Sequence, residues 1–147
     1  MTLMAIADTP HSIALGSAIG IFFGFTPLYP VKTLLSIALA FILRCNKIAA
    51  AIAVTVHDVL IFVMPAVYLA EYKLGYWLVH RAAAPRIRFG QFALRDYLHW
   101  RVFSRIVWPT LEPALIGSLF FAVPSAIVTY VLVRLLVRRA RQRPKPG

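Results

Sequence analysis

Residues 11–43 form an almost unbroken apolar stretch, HSIALGSAIGIFFGFTPLYPVKTLLSIALAFIL, interrupted once at Thr26-Pro27-Leu28-Tyr29-Pro30. This interruption constrains the chain more than any other feature. It divides the stretch into one helix from about His11 to Phe25 and a second from about Val31 to Leu43. At 1.5 Å per residue each is roughly 20 Å long, while a bilayer's hydrocarbon core is about 30 Å thick. Neither spans comfortably alone, so the pair reads as a re-entrant hairpin or as one discontinuous spanning element. Irregular backbone at membrane depth survives only when buried in protein or lining a wet cavity, and close packing must protect the break. Gly16, Gly20 and Gly24 share one helix face at four-residue spacing, which lets another backbone approach where lipid offers no hydrophobic drive.

The rest of the composition points to the same solvent. Of 147 residues 61% are hydrophobic and only 14% charged, with a mean hydropathy of +0.76, whereas a soluble domain carries about a quarter charged residues. We therefore expect one integral membrane domain over residues 1–137 and a basic, disordered tail over 138–147. The formal charge of +11 borders the apolar runs instead of interleaving with aromatics on a soluble face, which argues against nucleic acid and for anionic lipid headgroups. The single Cys45 excludes an internal disulfide. Met1 to Ser12 lack the basic start of a cleavable signal peptide, so the first apolar segment is expected to stay in the mature protein.

Beyond the first pair, an apolar run from Ile48 to Val79 is long for one crossing and is interrupted at His57-Asp58 and again at Pro65, which suggests a bend or reversal. Residues 81–108 are more polar, yet Phe92, Leu94, Tyr97, Leu98, Val102, Phe103 and Ile106 recur at roughly helical spacing against Arg95, His99 and Arg105. That pattern suits an interfacial amphipathic helix with Arg95, Trp100 and Trp108 at headgroup level; an exposed helix packed on the bundle is the other reading. A last helix is expected from Pro113, broken at Pro124, ending among Arg134, Arg138, Arg139 and Arg141. Gly20-x-x-Phe23-x-x-x-Pro27 recurs as Gly117-x-x-Phe120-x-x-x-Pro124, a spacing that marks paired broken helices in transporters and also arises by chance in so Gly- and Phe-rich a chain. The expected breaks are thus Pro27, Pro30, Pro65 and Pro124. If the three basic stretches, 44–47, 81–105 and the tail, are all cytoplasmic, the apolar segments between them return to the side they left. The fold class is an all-α polytopic membrane bundle of broken or re-entrant hairpins with one interfacial helix.

The segment IALGSAIGIFFGFTPLYPVKTLLSIALAFILRCNKIAAAIAV resembles the opening of the bacterial membrane family known as domain of unknown function 2062. The resemblance rests on a Gly-rich helix, a Pro-containing turn followed by Thr, an apolar helix, and the pair Arg44 and Asn46. PAVYLAEYKLG, with Pro65, Tyr68, Glu71, Tyr72 and Gly75, is similar to the family's second block, and LIGSLFFAVPSAIVTYVLVRLL to its closing segment. The chain departs from the family at Tyr29-Pro30, where a Gly commonly follows the first proline, and at HDVLIFVM, where an Asn-Pro-x-Thr element is common. The resemblance implies a bacterial inner-membrane protein and no activity.

Five acidic residues are present, so each one near membrane depth is informative. Asp58, beside His57, leads, since ionisable groups inside apolar segments are expensive and face a cavity, a partner charge or a pathway. Lys32, just after the first break, is its candidate partner, and His57 would bring a group that titrates near neutral pH. The competing reading makes Asp58 a cap at an interfacial reversal with His57 wet and Lys32 snorkelling. Glu71 reads as a solvated interfacial residue flanked by aromatic-belt tyrosines. The serines lack a nucleophile elbow and the four histidines lack metal-ligand spacing, so nothing supports an enzyme, a metal or a cofactor. Two functions follow: a small transport or channel-like protein acting as a homo-oligomer through Lys32, His57 and Asp58, or a non-catalytic envelope scaffold whose glycine face binds partner membrane helices and whose basic surfaces hold anionic lipid. Either places a multi-pass protein in the inner membrane with a cytoplasmic C-terminal tail.

Overall fold

The computed structural model describes residues 8–28, 31–59, 63–86, 100–102, 104–105 and 108–142, and among these the secondary structure is entirely helical. The helices are α1 (Pro10–Phe25), α2 (Lys32–Ile42), α3 (Lys47–Val59), α4 (Met64–His80), a three-residue α5 (Trp100–Val102) and α6 (Trp108–Gln142). They form two compact units, one of Met1–Leu60 with Ala122–Gly147 and one of Ile61–Phe121.

In the first unit each helix boundary has a local cause. Pro10 stands in the first turn of α1, where its missing N–H is no loss, and the Thr9 side chain accepts from the Ser12 N–H at 3.1 Å. α1 stops at Thr26, whose backbone turns extended and whose N–H and hydroxyl close the last turn onto the Phe23 and Phe22 carbonyls. Pro27 follows within this break, and Pro30 lies outside the described residues. α2 ends with Arg44 in the left-handed region, φ 52°. The Arg44 and Cys45 N–H groups bond back to Phe41 and Ala40, the paired closure by which helices satisfy their last carbonyls. Asn46 then opens α3, its side chain accepting from the Ala49 N–H at 2.6 Å.

The three glycines of α1 face α3. A Cβ added to Gly16 would collide with the Asn46 carbonyl and one on Gly20 with the Ala50 carbonyl, while one on Gly24 would lie 2.6 Å from His57 Cγ. The close backbone approach expected of a partner helix is therefore made within the chain. Around it sit Ile19, Ala40, Cys45 and Ala50, with Leu15, Phe23 and Leu39 packed against them.

The expected long helix from Ile48 is described as two helices, α3 and α4, on either side of residues 60–62, which lie outside the described residues, with Pro65 in the first turn of α4. His57 and Asp58 lie in the last turn of α3, not at a break of their own. In the second unit α4 crosses the first half of α6 at Gly75 and Gly117. A Cβ on Gly75 would overlap the Pro113 carbonyl, and one on Gly117 the Glu71 carbonyl. The expected interfacial helix falls largely on residues 87–99, outside the described residues, as does Arg95; Trp100 and Trp108 are both exposed.

α6 corrects three expectations. It starts at Trp108, not Pro113, because Pro109 already supplies a first-turn proline. It continues through Pro124, which does not break it: one lost hydrogen bond on an exposed face is outweighed by a long run of helix-competent neighbours. It also runs on through Arg138 and Arg139 to Gln142, where a disordered tail was expected, since arginine is a good helix former and cations suit a helix C-terminus. Among the described residues α6 is the one helix both long and apolar enough to cross a membrane, while α1 and α2 are apolar but shorter.

Candidate functional site

The break between α1 and α2 places Lys32 at the first position of α2, and its side chain turns inward instead of reaching out along the helix. Its ammonium donates to Asp58 Oδ1 in the last turn of α3, and to the Gly24 carbonyl in the last turn of α1 at 3.4 Å. The Lys32 side chain is 2% exposed and that of Asp58 32%, so the cation is enclosed and the carboxylate about one third open. Three helix ends converge on this ion pair.

His57 completes the cluster. It is 4% exposed, edge-on to the Phe25 ring with centroids 4.4 Å apart, and covered by Gly24, which has no side chain to displace it. Ser36, one turn beyond Lys32 on the buried face of α2, is fully enclosed. Lys32, His57 and Asp58, singled out as separate positions in the sequence, are thus brought together.

The opposite end of the same unit holds a second polar cluster that the sequence reading missed. The Asp8 carboxylate accepts from the Ser12 hydroxyl and from the Asn46 side-chain amide, and the Asp8 carbonyl accepts from Arg141. His11 Nδ1 is hydrogen-bonded to the Tyr130 hydroxyl at 2.8 Å, which also accepts from Arg134 at 3.1 Å. These contacts tie the start of α1, the α2–α3 turn and the basic end of α6 to one another. Arg44 and Lys47 stand at the α2–α3 turn and Arg134, Arg138, Arg139 and Arg141 on the end of α6, so the unit has a basic end and, across the length of α1, the Lys32–Asp58 end.

Cys45, in the α2–α3 turn, is buried, and its Sγ lies 3.6 Å from the Ala40 carbonyl. Burial pushes the thiol above its ordinary range, and Asp8 adds to the effect.

In the second unit Glu71 is fully buried beside the Gly75–Gly117 crossing, together with Tyr72, Pro113 and Ser118. This overturns the solvated, interfacial reading of Glu71. The usable signal was Gly75, one turn further along α4: a glycine four residues after an acid marks a face on which another backbone lies close.

The family described as "Uncharacterized protein conserved in bacteria (DUF2062)" matches residues 2–145. No curated protein and no solved structure matches the chain.

Proposed function

We propose, from the premise that this chain belongs to the bacterial DUF2062 family, that it is a multi-pass inner-membrane protein with a transport or channel-like activity exerted through its broken helices. The observation that carries this reading is the buried Lys32–Asp58 ion pair at the α1–α2 break. Charges are kept inside apolar helices at a high desolvation cost, and in membranes they mark pathways.

Several features support a membrane setting. Ile48, Ile52, Val56 and Val59 line an exposed stripe of α3, and Phe120, Val123, Ile127, Val131 and Leu135 line one of α6. Water would penalise apolar faces of that extent, and lipid would not. By the positive-inside tendency the basic end is cytoplasmic, and with it the C-terminal end of α6. α1, at roughly 24 Å, then carries the ion pair inward beside α3 and stops short of a ~30 Å core. The unit is in this reading a re-entrant insertion, and an oligomer supplies the remaining walls of a pathway.

Flux in proteoliposomes tests this reading. Purified protein should carry protons or potassium above protein-free vesicles, and Asp58→Asn should lower that flux at least tenfold while inserting normally. Flux equal to that of empty vesicles, or unaffected by Asp58→Asn, refutes it.

A non-transporting scaffold is the second reading, favoured by the same exposed apolar faces. Its docking surface is the outer stripe of α3 and α6, since the glycine face is filled by α3. It predicts that charged substitutions at Ile52 and Val56 disrupt copurified complexes while Asp58→Asn leaves them intact.

A further inference from the structure

His57 is enclosed, yet neither ring nitrogen has a hydrogen-bond partner among the described residues. A neutral imidazole carries one donor and one acceptor, and native interiors rarely leave both unmet. The groups packed on the ring show what it can bind. α1 contributes Gly24 and Phe25, which carry no charge. The charges acting on the ring are Lys32 from α2 and the adjacent Asp58 of α3. With His57 neutral, one cation faces one anion; a proton on His57 makes two cations compete for one carboxylate.

The geometry offers a way out of that conflict. Lys32 Nζ already lies 3.4 Å from the Gly24 carbonyl, which belongs to the last turn of α1, where unsatisfied carbonyls carry the negative end of the helix dipole. The ammonium thus has a second acceptor when Asp58 turns to the imidazolium. Asp58 is the partly exposed member of the cluster, so in the proposed oligomer the proton enters from the open side of the carboxylate, along the pathway.

Resting on the reading of this cluster as an ion site, we propose that His57 is its proton-binding residue and that protonation exchanges Lys32 for His57 on the Asp58 carboxylate. The proton comes from the medium to a ring nitrogen, no covalent bond changes, and the ammonium moves onto the α1 carbonyl end. Each proton bound loosens the tie between α2 and α3, and each proton released restores it.

The test is the titration of His57 in full-length protein labelled at histidine and held in lipid nanodiscs, read by NMR and assigned by the signal lost in His57→Gln. His57 should titrate reversibly, its ring signals moving between two limiting positions as the pH is changed. In Lys32→Met, where Asp58 is released to the imidazolium, the midpoint should rise by about one unit or more; in Asp58→Asn it should fall by a similar amount, and Asp58→Glu should restore wild-type behaviour. If Asp58→Asn does not fold, the Lys32→Met shift decides alone. An identical midpoint in wild type and Lys32→Met, or no titration in either, overturns the exchange. Coupled titration without flux would remove the transport reading and leave the proton site standing, while flux with uncoupled titration would do the reverse.

Discussion

Lys32 and Asp58 form an ion pair whose two halves are unequally buried: the ammonium is enclosed by three helix ends, and the carboxylate keeps about a third of its surface. Breaking a buried pair is costly in proportion to the charge left stranded, not to the attraction lost. The two single substitutions should therefore differ. Asp58→Asn takes the counter-charge from an enclosed ammonium and leaves it the Gly24 carbonyl, and should destabilise the folded protein by about 3 kcal/mol. Lys32→Met leaves a carboxylate that is not enclosed on all sides, fills the space with apolar atoms, and should cost clearly less. The double substitution should recover much of the Asp58→Asn loss. Thermal unfolding in detergent reads all three; equal losses from the two single variants would deny the asymmetry.

The glycine contacts make a second prediction. At Gly20 an added methyl meets the Ala50 carbonyl and lies 2.6 Å from Ala53 Cβ, with backbone on α3 that cannot swing aside. At Gly24 the obstacle is the root of the His57 side chain, Cγ at 2.6 Å and Cβ at 2.9 Å, which ring rotation does not clear. Gly20→Ala and Gly24→Ala should thus each cost at least the upper end of the ~1–3 kcal/mol typical of overpacking. Gly117→Ala should be as severe as Gly20→Ala, since its methyl would overlap the Glu71 carbonyl. Stability of the monomer in detergent is the measurement. A loss confined to oligomers, with the monomer untouched, would return the glycine face to a partner helix.

Cys45 should be a poor thiol. It is buried, and desolvation holds its pKa above the ordinary range. Because the thiolate is the reactive form, a raised pKa lowers its population at neutral pH, so labelling should be slow there and accelerate only as pH climbs past the usual thiol value. Cysteines at the exposed positions Ser104 and Gln142, in a Cys45→Ser background, should label at least tenfold faster at neutral pH. Equal rates would contradict the packing of the α2–α3 turn.

Much of the first unit was legible because its signals are local. Thr9-Pro10 announces the start of α1, Pro27 the region of its end, and scarce acids in apolar sequence made Asp58 and Lys32 conspicuous. Glu71 was not legible in the same way: Tyr68, Tyr72 and Lys73 beside it imitate an interfacial belt, and its burial comes from a crossing with α6 that no local pattern encodes. Pro124 misled for the opposite reason. Proline's local preference is strong, but in a long exposed helix it forfeits one hydrogen bond and the flanking turns persist. The Asp8–Asn46–Arg141 and His11–Tyr130–Arg134 contacts join residues 38, 133 and 119 positions apart in sequence, a separation at which spacing carries no information.

In the proposed topology one end of the α1–α3 unit is cytoplasmic and the other lies within the membrane. The most direct measurement places single cysteines at Arg44, Val59 and Gln142 in a Cys45→Ser background and labels them with an impermeant reagent in vesicles of both orientations. Positions 44 and 142 should label from the cytoplasmic face, and position 59, at the far end of α3, from neither face until the membrane is dissolved. Labelling of position 59 from the opposite face would mean that α3 crosses the bilayer and that the Lys32–Asp58 pair sits at a surface, contradicting the account.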